Sequence, residues 1–142
     1  MMKDILKMEM LSKPENEGFA RAAVATFMAR LNPTLEEIND VKTAVSEAVT
    51  NSIVHGYADD TGIINIQVEI EENELNIIIK DYGAGIEDIE RAREPLFTTK
   101  ADEERSGMGF TFMEIFMDNL TVESGCGQGT TIHMSKKIMG GK

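Results

Sequence analysis

Residues 64–85 read INIQVEIEENELNIIIKDYGAG. Ile64, Ile66, Val68 and Ile70 alternate with polar residues, the period-two pattern of a strand with one buried face. A tight turn at residues 71–74 leads into a second apolar run at residues 75–80, so the stretch predicts an antiparallel hairpin. The hairpin ends on Asp81-x-Gly83-x-Gly85, which puts a carboxylate at a strand end with two glycines behind it. A hairpin with one apolar face needs a second layer to cover it.

Working outward, that layer is readable on the N-terminal side. Ser12-x-x-Glu15, with Pro14 in the first turn, reads as a capping box opening a helix to about residue 31. Its apolar stripe is Phe19, Ala20, Ala23, Val24, Phe27 and Leu31, and Asn32-Pro33 stops it. Thr34-x-x-Glu37 is a second capping box, and its helix can run to about His55, before Gly56, with Val41, Ala44, Val45, Ala48, Val49 and Ile53 inward. Residues 4–11 alternate weakly and predict a first strand. On the C-terminal side come a short helix near residues 87–93, ended by Pro95, and residues 96–106 without periodicity. Residues 109–117 return to helical spacing. Two strands near residues 120–123 and 130–135 then flank a glycine-rich turn. The sum is an α+β, two-layer sandwich: a largely antiparallel sheet with helices on one face, in a single domain over residues 1–142.

Composition agrees. At 142 residues the chain is long enough to bury a real core, and 42% hydrophobic with 27% charged residues is a globular balance. Its apolar runs are too short to span a membrane, and the N-terminus does not read as a signal peptide. The single cysteine, Cys126, excludes an internal disulfide and predicts a cytoplasmic setting. A net charge of −11 disfavours nucleic acid as a partner. Against that charge, Lys100 and Arg105 fall between two glycine-containing signatures, where an anionic ligand would need them.

Four signatures occur in order: Glu47-x-x-x-Asn51-x-x-x-His55, Asp81-x-Gly83-x-Gly85, Gly107-Met108-Gly109 and Gly127-Gln128-Gly129-Thr130-Thr131. Singly, each has an ordinary reading as a solvated helix face, an Asx turn or a hairpin tip. Together they supply the parts of a Mg-ATP site. Glu47, Asn51 and His55 recur every four residues along one helix face. An Asn oxygen is a hard neutral ligand suited to Mg²⁺, and a carboxylate one turn earlier can take a proton from an attacking hydroxyl. His55 could approach phosphate or simply cap the helix. Asp81 can accept from the exocyclic amine of adenine, which guanine does not offer at that position. Gly83 and Gly85 would let the backbone approach a flat base. Ser106, Gly107, Met108 and Gly109 precede a helix whose N-terminus would cradle polyphosphate. Thr130 could support the adenine contact of Asp81, directly or through water.

These residues also carry a family likeness. Ser46-Glu47-Ala48-Val49-Thr50-Asn51 resembles the N box of the GHKL ATPase/kinase superfamily, and residues 81–85, 107–110 and 127–131 resemble its successive glycine boxes. Within it the chain resembles the anti-sigma-factor serine kinases, their sporulation branch above all. Glu17-Gly18-Phe19-Ala20-Arg21, Pro95-Leu96-Phe97-Thr98-Thr99-Lys100 and Glu104-Arg105-Ser106-Gly107-Met108-Gly109-Phe110 support the likeness. The resemblance implies a homodimer that holds a sigma F-like factor away from RNA polymerase. It also implies that such a protein uses ATP to phosphorylate a serine of a small anti-anti-sigma factor, leaving ADP. By residue match, Glu47 is then the catalytic base, Asn51 the Mg²⁺ ligand and Asp81 the reader of adenine. Thr98, Thr99, Lys100, Arg105, Ser106, Gly107, Met108 and Gly109 belong to the ATP lid and phosphate loop, and Arg21 contacts the protein partners. Two departures from the wider superfamily are the reduced Gly-Met-Gly-Phe box and Ser46, where sensor kinases commonly have His.

Other readings compete. A sensor histidine kinase needs a phosphoacceptor His, but His55 lies inside the N box and His133 on a terminal strand. An ATP-gated clamp needs further domains to transmit closure. A non-catalytic nucleotide-dependent interaction module has no need of Glu47. A general-stress anti-sigma kinase differs from the sporulation type only by resemblance.

Overall fold

The computed structural model describes residues 3–93 and 109–141. Strand β1 (Asp4–Leu11) is followed by helix α1 (Pro14–Met28), which tightens into a 3₁₀ turn at Ala29–Leu31. Helix α2 (Leu35–Asn51) runs on into a single π turn, Ser52–Gly56. Strands β2 (Ile63–Glu71) and β3 (Glu74–Asp81) form the hairpin read from the sequence. The short helix α3 (Ile89–Ala92), helix α4 (Gly109–Phe116) and strands β4 (Asn119–Ser124) and β5 (Thr130–Lys137) complete the described elements. The predicted stop at Pro95 and the aperiodic residues 96–106 lie outside them.

The sheet has five strands in the order β1-β2-β3-β5-β4, every neighbouring pair antiparallel. Its inner face presents Ile64, Ile66, Val68 and Ile70 from β2, Leu75, Ile77 and Ile79 from β3, and Ile132 and Met134 from β5. Against these pack Ala20, Val24 and Met28 of α1, Val41, Ala44, Val45, Ala48 and Val49 of α2, and Phe110 and Met113 of α4. Each fully buried Ile, Leu or Met contributes about 1.5–3 kcal/mol of transfer free energy. The continuous layer from β1 to β4 is therefore what makes the hairpin stable.

Two local expectations are corrected. Ser12 does not cap α1: the N-cap is Lys13, with no side-chain bond. Ser12 is buried instead, its hydroxyl accepting from the Gly62 amide at 2.9 Å while its own amide donates to the Gly62 carbonyl at 2.9 Å. The end of β1 and the start of β2 thus compete with the helix for this serine and win, because its hydroxyl and amide both pair with the Gly62 backbone. Phe19 is not in the core stripe: it is 61% exposed. The inward positions are Ala20, Val24 and Met28, each one turn after the last, and Phe19 lies a residue off that line.

The second capping box is as read. Thr34 Oγ1 accepts from the Glu37 amide at 3.1 Å, and Glu37 Oε1 accepts from the Thr34 amide at 2.9 Å. Glu37 also accepts from the amides of Met139 (2.7 Å) and Gly140 (3.1 Å), tying the chain's last residues to the start of α2. Burial pushes this carboxyl up, but the amides of Thr34, Met139 and Gly140 and the Thr34 hydroxyl outweigh it, leaving it below the ordinary glutamate value.

Candidate functional site

The site forms where the C-terminal end of α2, the end of β3 and the β4–β5 turn meet. The buried stripe of α2 fixes its rotation, which leaves Glu47 and Asn51 half-buried on its flank. Glu47 points its Oε1 to within 3.3 Å of where a Cβ on Gly109 would stand. The base candidate therefore faces the first residue of α4, where the helix dipole favours negative charge. Gly109 keeps that approach open.

Past Asn51 the helix changes character. The Ser52 amide is shared between the carbonyls of Ala48 and Val49, and the Tyr57 amide reaches back to the Ser52 carbonyl at 2.9 Å, five residues earlier. Such π turns are single-turn insertions found often at functional sites. This one contains His55, half-buried, and ends on Gly56, buried.

Beneath the turn lies Asp81, 1% exposed. Its Oδ2 accepts from the Ser52 hydroxyl at 2.7 Å and its Oδ1 from the Gly83 amide at 3.0 Å. An ionised carboxylate offers about four acceptor sites, so two bonds leave capacity for an incoming amine. A group whose nitrogen is a donor, such as the exocyclic amine of adenine, suits those remaining acceptor sites.

The glycines of this signature make close approaches within the chain itself. A Cβ on Gly83 would stand 2.0 Å from the Gly56 carbonyl oxygen, and one on Gly85, at φ +81°, would stand 1.9 Å from the Gly125 carbonyl oxygen. Gly83 and Gly85 thus admit other backbone segments of this chain, which is why the three loops can be this close. Bonds from the Ala84 amide to the Gly56 carbonyl (2.7 Å), from Gly127 to Ala84 (2.5 Å) and from Gly129 to Gly83 (3.0 Å) lock them. Ser124 Oγ adds contacts to Ile86, Gly129 and Thr130.

Thr130 sits opposite Asp81 in the β3–β5 register, 4% exposed, but its hydroxyl engages Ser124 at 2.8 Å. It is Ser52 whose hydroxyl the structure places on the Asp81 carboxylate. Tyr57 braces the same end, accepting from the Tyr82 amide at 2.7 Å and donating to the Ile63 carbonyl at 2.5 Å. Burial pushes the Tyr57 phenol up, although the Tyr82 amide opposes this; the nearby Asp81 charge adds to the rise.

Of the residues expected at the site, Glu47, Asn51, His55, Asp81, Gly83, Gly85, Gly109 and Thr130 fall on these adjoining segments. Thr98, Thr99, Lys100, Arg105, Ser106, Gly107 and Met108 lie outside the described residues. Arg21 lies elsewhere, exposed on α1, with its guanidinium 3.0 Å from Glu17 Oε2. The Ser46 hydroxyl donates to that same Glu17 oxygen, so α1 and the residue before Glu47 share one carboxylate. Sequence reasoning missed Ser52, Gly56, Tyr57 and Ser124. Ser52 lies within the Glu47–His55 signature and Gly56 and Tyr57 follow it; Ser124 has no local signal.

Among the described residues no group of three or more His, Cys, Asp and Glu side chains could hold a metal ion. Asn51 offers one neutral side-chain oxygen, a donor type that Mg²⁺ accepts. No helix among the described residues is long and apolar enough to cross a membrane.

Residues 10–136 match the model of the histidine kinase-like ATPase domain. Proteins named anti-sigma F factor are similar over nearly their whole length. That of Clostridium novyi is 61% identical, covering 94% of this chain and 94% of its own. That of Clostridium acetobutylicum is 57% identical, covering 97% and 96%, and that of Clostridium perfringens 54%, covering 96% and 99%. Among solved structures, the RsbU and RsbW domains of a Mycobacterium tuberculosis protein align with a TM-score of 0.66 at 19% identity, covering 95% of this chain and 32% of that one. At that identity the likeness is one of fold.

Proposed function

Because this chain belongs to the histidine kinase-like ATPase domain family and, within it, to the anti-sigma F factors, we propose that it binds and inhibits a sporulation sigma factor and phosphorylates a serine of its anti-anti-sigma factor with Mg-ATP. The observation that carries the kinase half is the disposition of two carboxylates. Asp81 is buried under the π turn with acceptor capacity to spare, and Glu47 stands beside Gly109 at the start of α4. Asp81 would hold the purine, and Glu47, beside the start of α4, would take the proton of the incoming hydroxyl.

Each residue then has a task. Asp81 accepts from the adenine amine and sets the register of the nucleotide. Asn51 supplies one oxygen ligand to Mg²⁺, which neutralises phosphate charge when bound. Glu47 accepts the proton of the substrate serine as its oxygen attacks the γ-phosphorus and ADP departs. Lys100 and Arg105 bring positive charge to the phosphates, and Arg21, with its neighbour Phe19, is offered to the protein partners. The protein acts as a homodimer.

The test is transfer itself. The chain is incubated with γ-labelled Mg-ATP and the anti-anti-sigma protein, and the labelled side chain is mapped. Serine phosphorylation in trans is expected. Label on His55 or His133 of this chain, or nucleotide binding with no transfer, would overturn the kinase half.

A further inference from the structure

One buried group at the site has no part in that account: the Ser52 hydroxyl. Ser52 and Asp81 are each 1% exposed, and the 2.7 Å bond from Ser52 Oγ to Asp81 Oδ2 is made entirely inside the protein. The other described bond to this carboxylate comes from the Gly83 amide, which holds Oδ1 at 3.0 Å. Gly56 closes over the pair: a Cβ there would stand 2.9 Å from Oδ2 and 3.1 Å from Oδ1. The carboxylate is thus clamped at both oxygens, once by backbone and once by a side chain.

We infer that Ser52 is a positioning residue that determines purine specificity, holding Asp81 so that its lone pairs meet a 6-amino group and repel a 6-oxo group. The inference rests on the proposed reading of Asp81 as the contact to the base. A carboxylate held at one oxygen only can turn about its Cβ–Cγ bond. With both oxygens held, the remaining acceptor sites have fixed directions. An amine entering there gains a charge-assisted hydrogen bond, whereas a carbonyl oxygen meets another oxygen. Discrimination of this kind depends on a buried polar group that cannot adjust to the wrong partner. Ser52 is held in place by the π turn, where its amide bridges Ala48 and Val49 and its carbonyl accepts from Tyr57. The hydroxyl therefore acts through Asp81 and need not touch the nucleotide.

Calorimetric titration with ADP and IDP in the presence of Mg²⁺ tests this on the full chain, wild type against Ser52→Ala. The two nucleotides share ribose and diphosphate, so the ratio of their affinities isolates the purine edge. Wild type is expected to favour ADP by about tenfold or more, and Ser52→Ala to narrow that ratio about five- to tenfold, chiefly through weaker ADP binding. Equal losses for both nucleotides, or a ratio within about twofold of wild type, would overturn the role of Ser52 while leaving Asp81 as the reader. A wild type that binds ADP and IDP alike would remove the Asp81 reading itself. Should the alanine variant not fold, Ser52→Cys, nearly isosteric but a weak donor, is read on the same ratio.

Discussion

Helix α2 is held at its N-terminal end by Thr34 and Glu37 and by the amides of Met139 and Gly140, around a partly exposed carboxylate. At its C-terminal end it opens into a π turn over Asp81, where Gly56, Gly83, Gly85 and Gly125 bring backbone against backbone. Water can replace much of what the first end loses, since its bonds lie near the surface. The second end is close-packed: a methyl group on Gly83 or Gly85 would run into a carbonyl oxygen of another loop. One helix thus carries a tolerant anchor and an intolerant site, and substitutions at its two ends should differ in kind as well as size.

The largest effect is expected at the site end. Glu47→Gln should lower phosphoryl transfer about 10²- to 10⁴-fold while nucleotide affinity stays near wild type, because only proton acceptance is lost. Single-turnover transfer and calorimetry together check this, and undiminished transfer would take the base role from Glu47.

Next is Gly83→Ala. Its methyl would meet the Gly56 carbonyl 2.0 Å away, so the loops must part. A loss of about 3 kcal/mol is expected, read as a lowered urea midpoint. A variant as stable as wild type would show the site end to be as forgiving as the anchor. Asp81→Ala should weaken ATP binding by about 1–3 kcal/mol, with calorimetry as the measure. Unchanged affinity would break the adenine assignment.

Glu37→Gln should cost only about 1 kcal/mol of stability and leave nucleotide binding alone, since it touches the anchor. Its folded carboxyl lies below the ordinary value of 4.5. The sign follows: protons bind the unfolded chain more readily, so this contribution is complete above that value and is lost as pH falls through the folded one. Melting curves from neutral to acid pH should therefore show wild type and Glu37→Gln converging at low pH. A constant gap would mean that the charge of Glu37 is not what the amides hold.

Much of this contrast could be read along the chain, though unevenly. The capping box at Thr34 was legible because both partners lie within one turn, and the β2–β3 hairpin because alternation needs only local counting. The capping box expected at Ser12 does not form because its partner, Gly62, is fifty residues away, just before the start of β2. Phe19 was misplaced because helical spacing defines a stripe only to within a residue, and contact with the sheet chose Ala20, Val24 and Met28. Along the chain, residue types mark Glu47, Asn51 and Asp81 as candidates. The purpose of Gly83 and Gly85 did not show, since a glycine that admits a ligand and one that admits another loop look alike in sequence.

By itself, then, the sequence determined the layers, the hairpin, the sheet-and-helix class and the chemical character of the site. Those properties follow from periodicity and from functional groups, both local. Only the tertiary structure decided that α2 ends in a π turn, that Ser52 reaches Asp81 beneath it, and that Glu47 faces Gly109. The last two depend on distances between residues far apart in the chain, Ser52 with Asp81 and Glu47 with Gly109. Close packing of the core sets such distances, and no short stretch of chain encodes them alone.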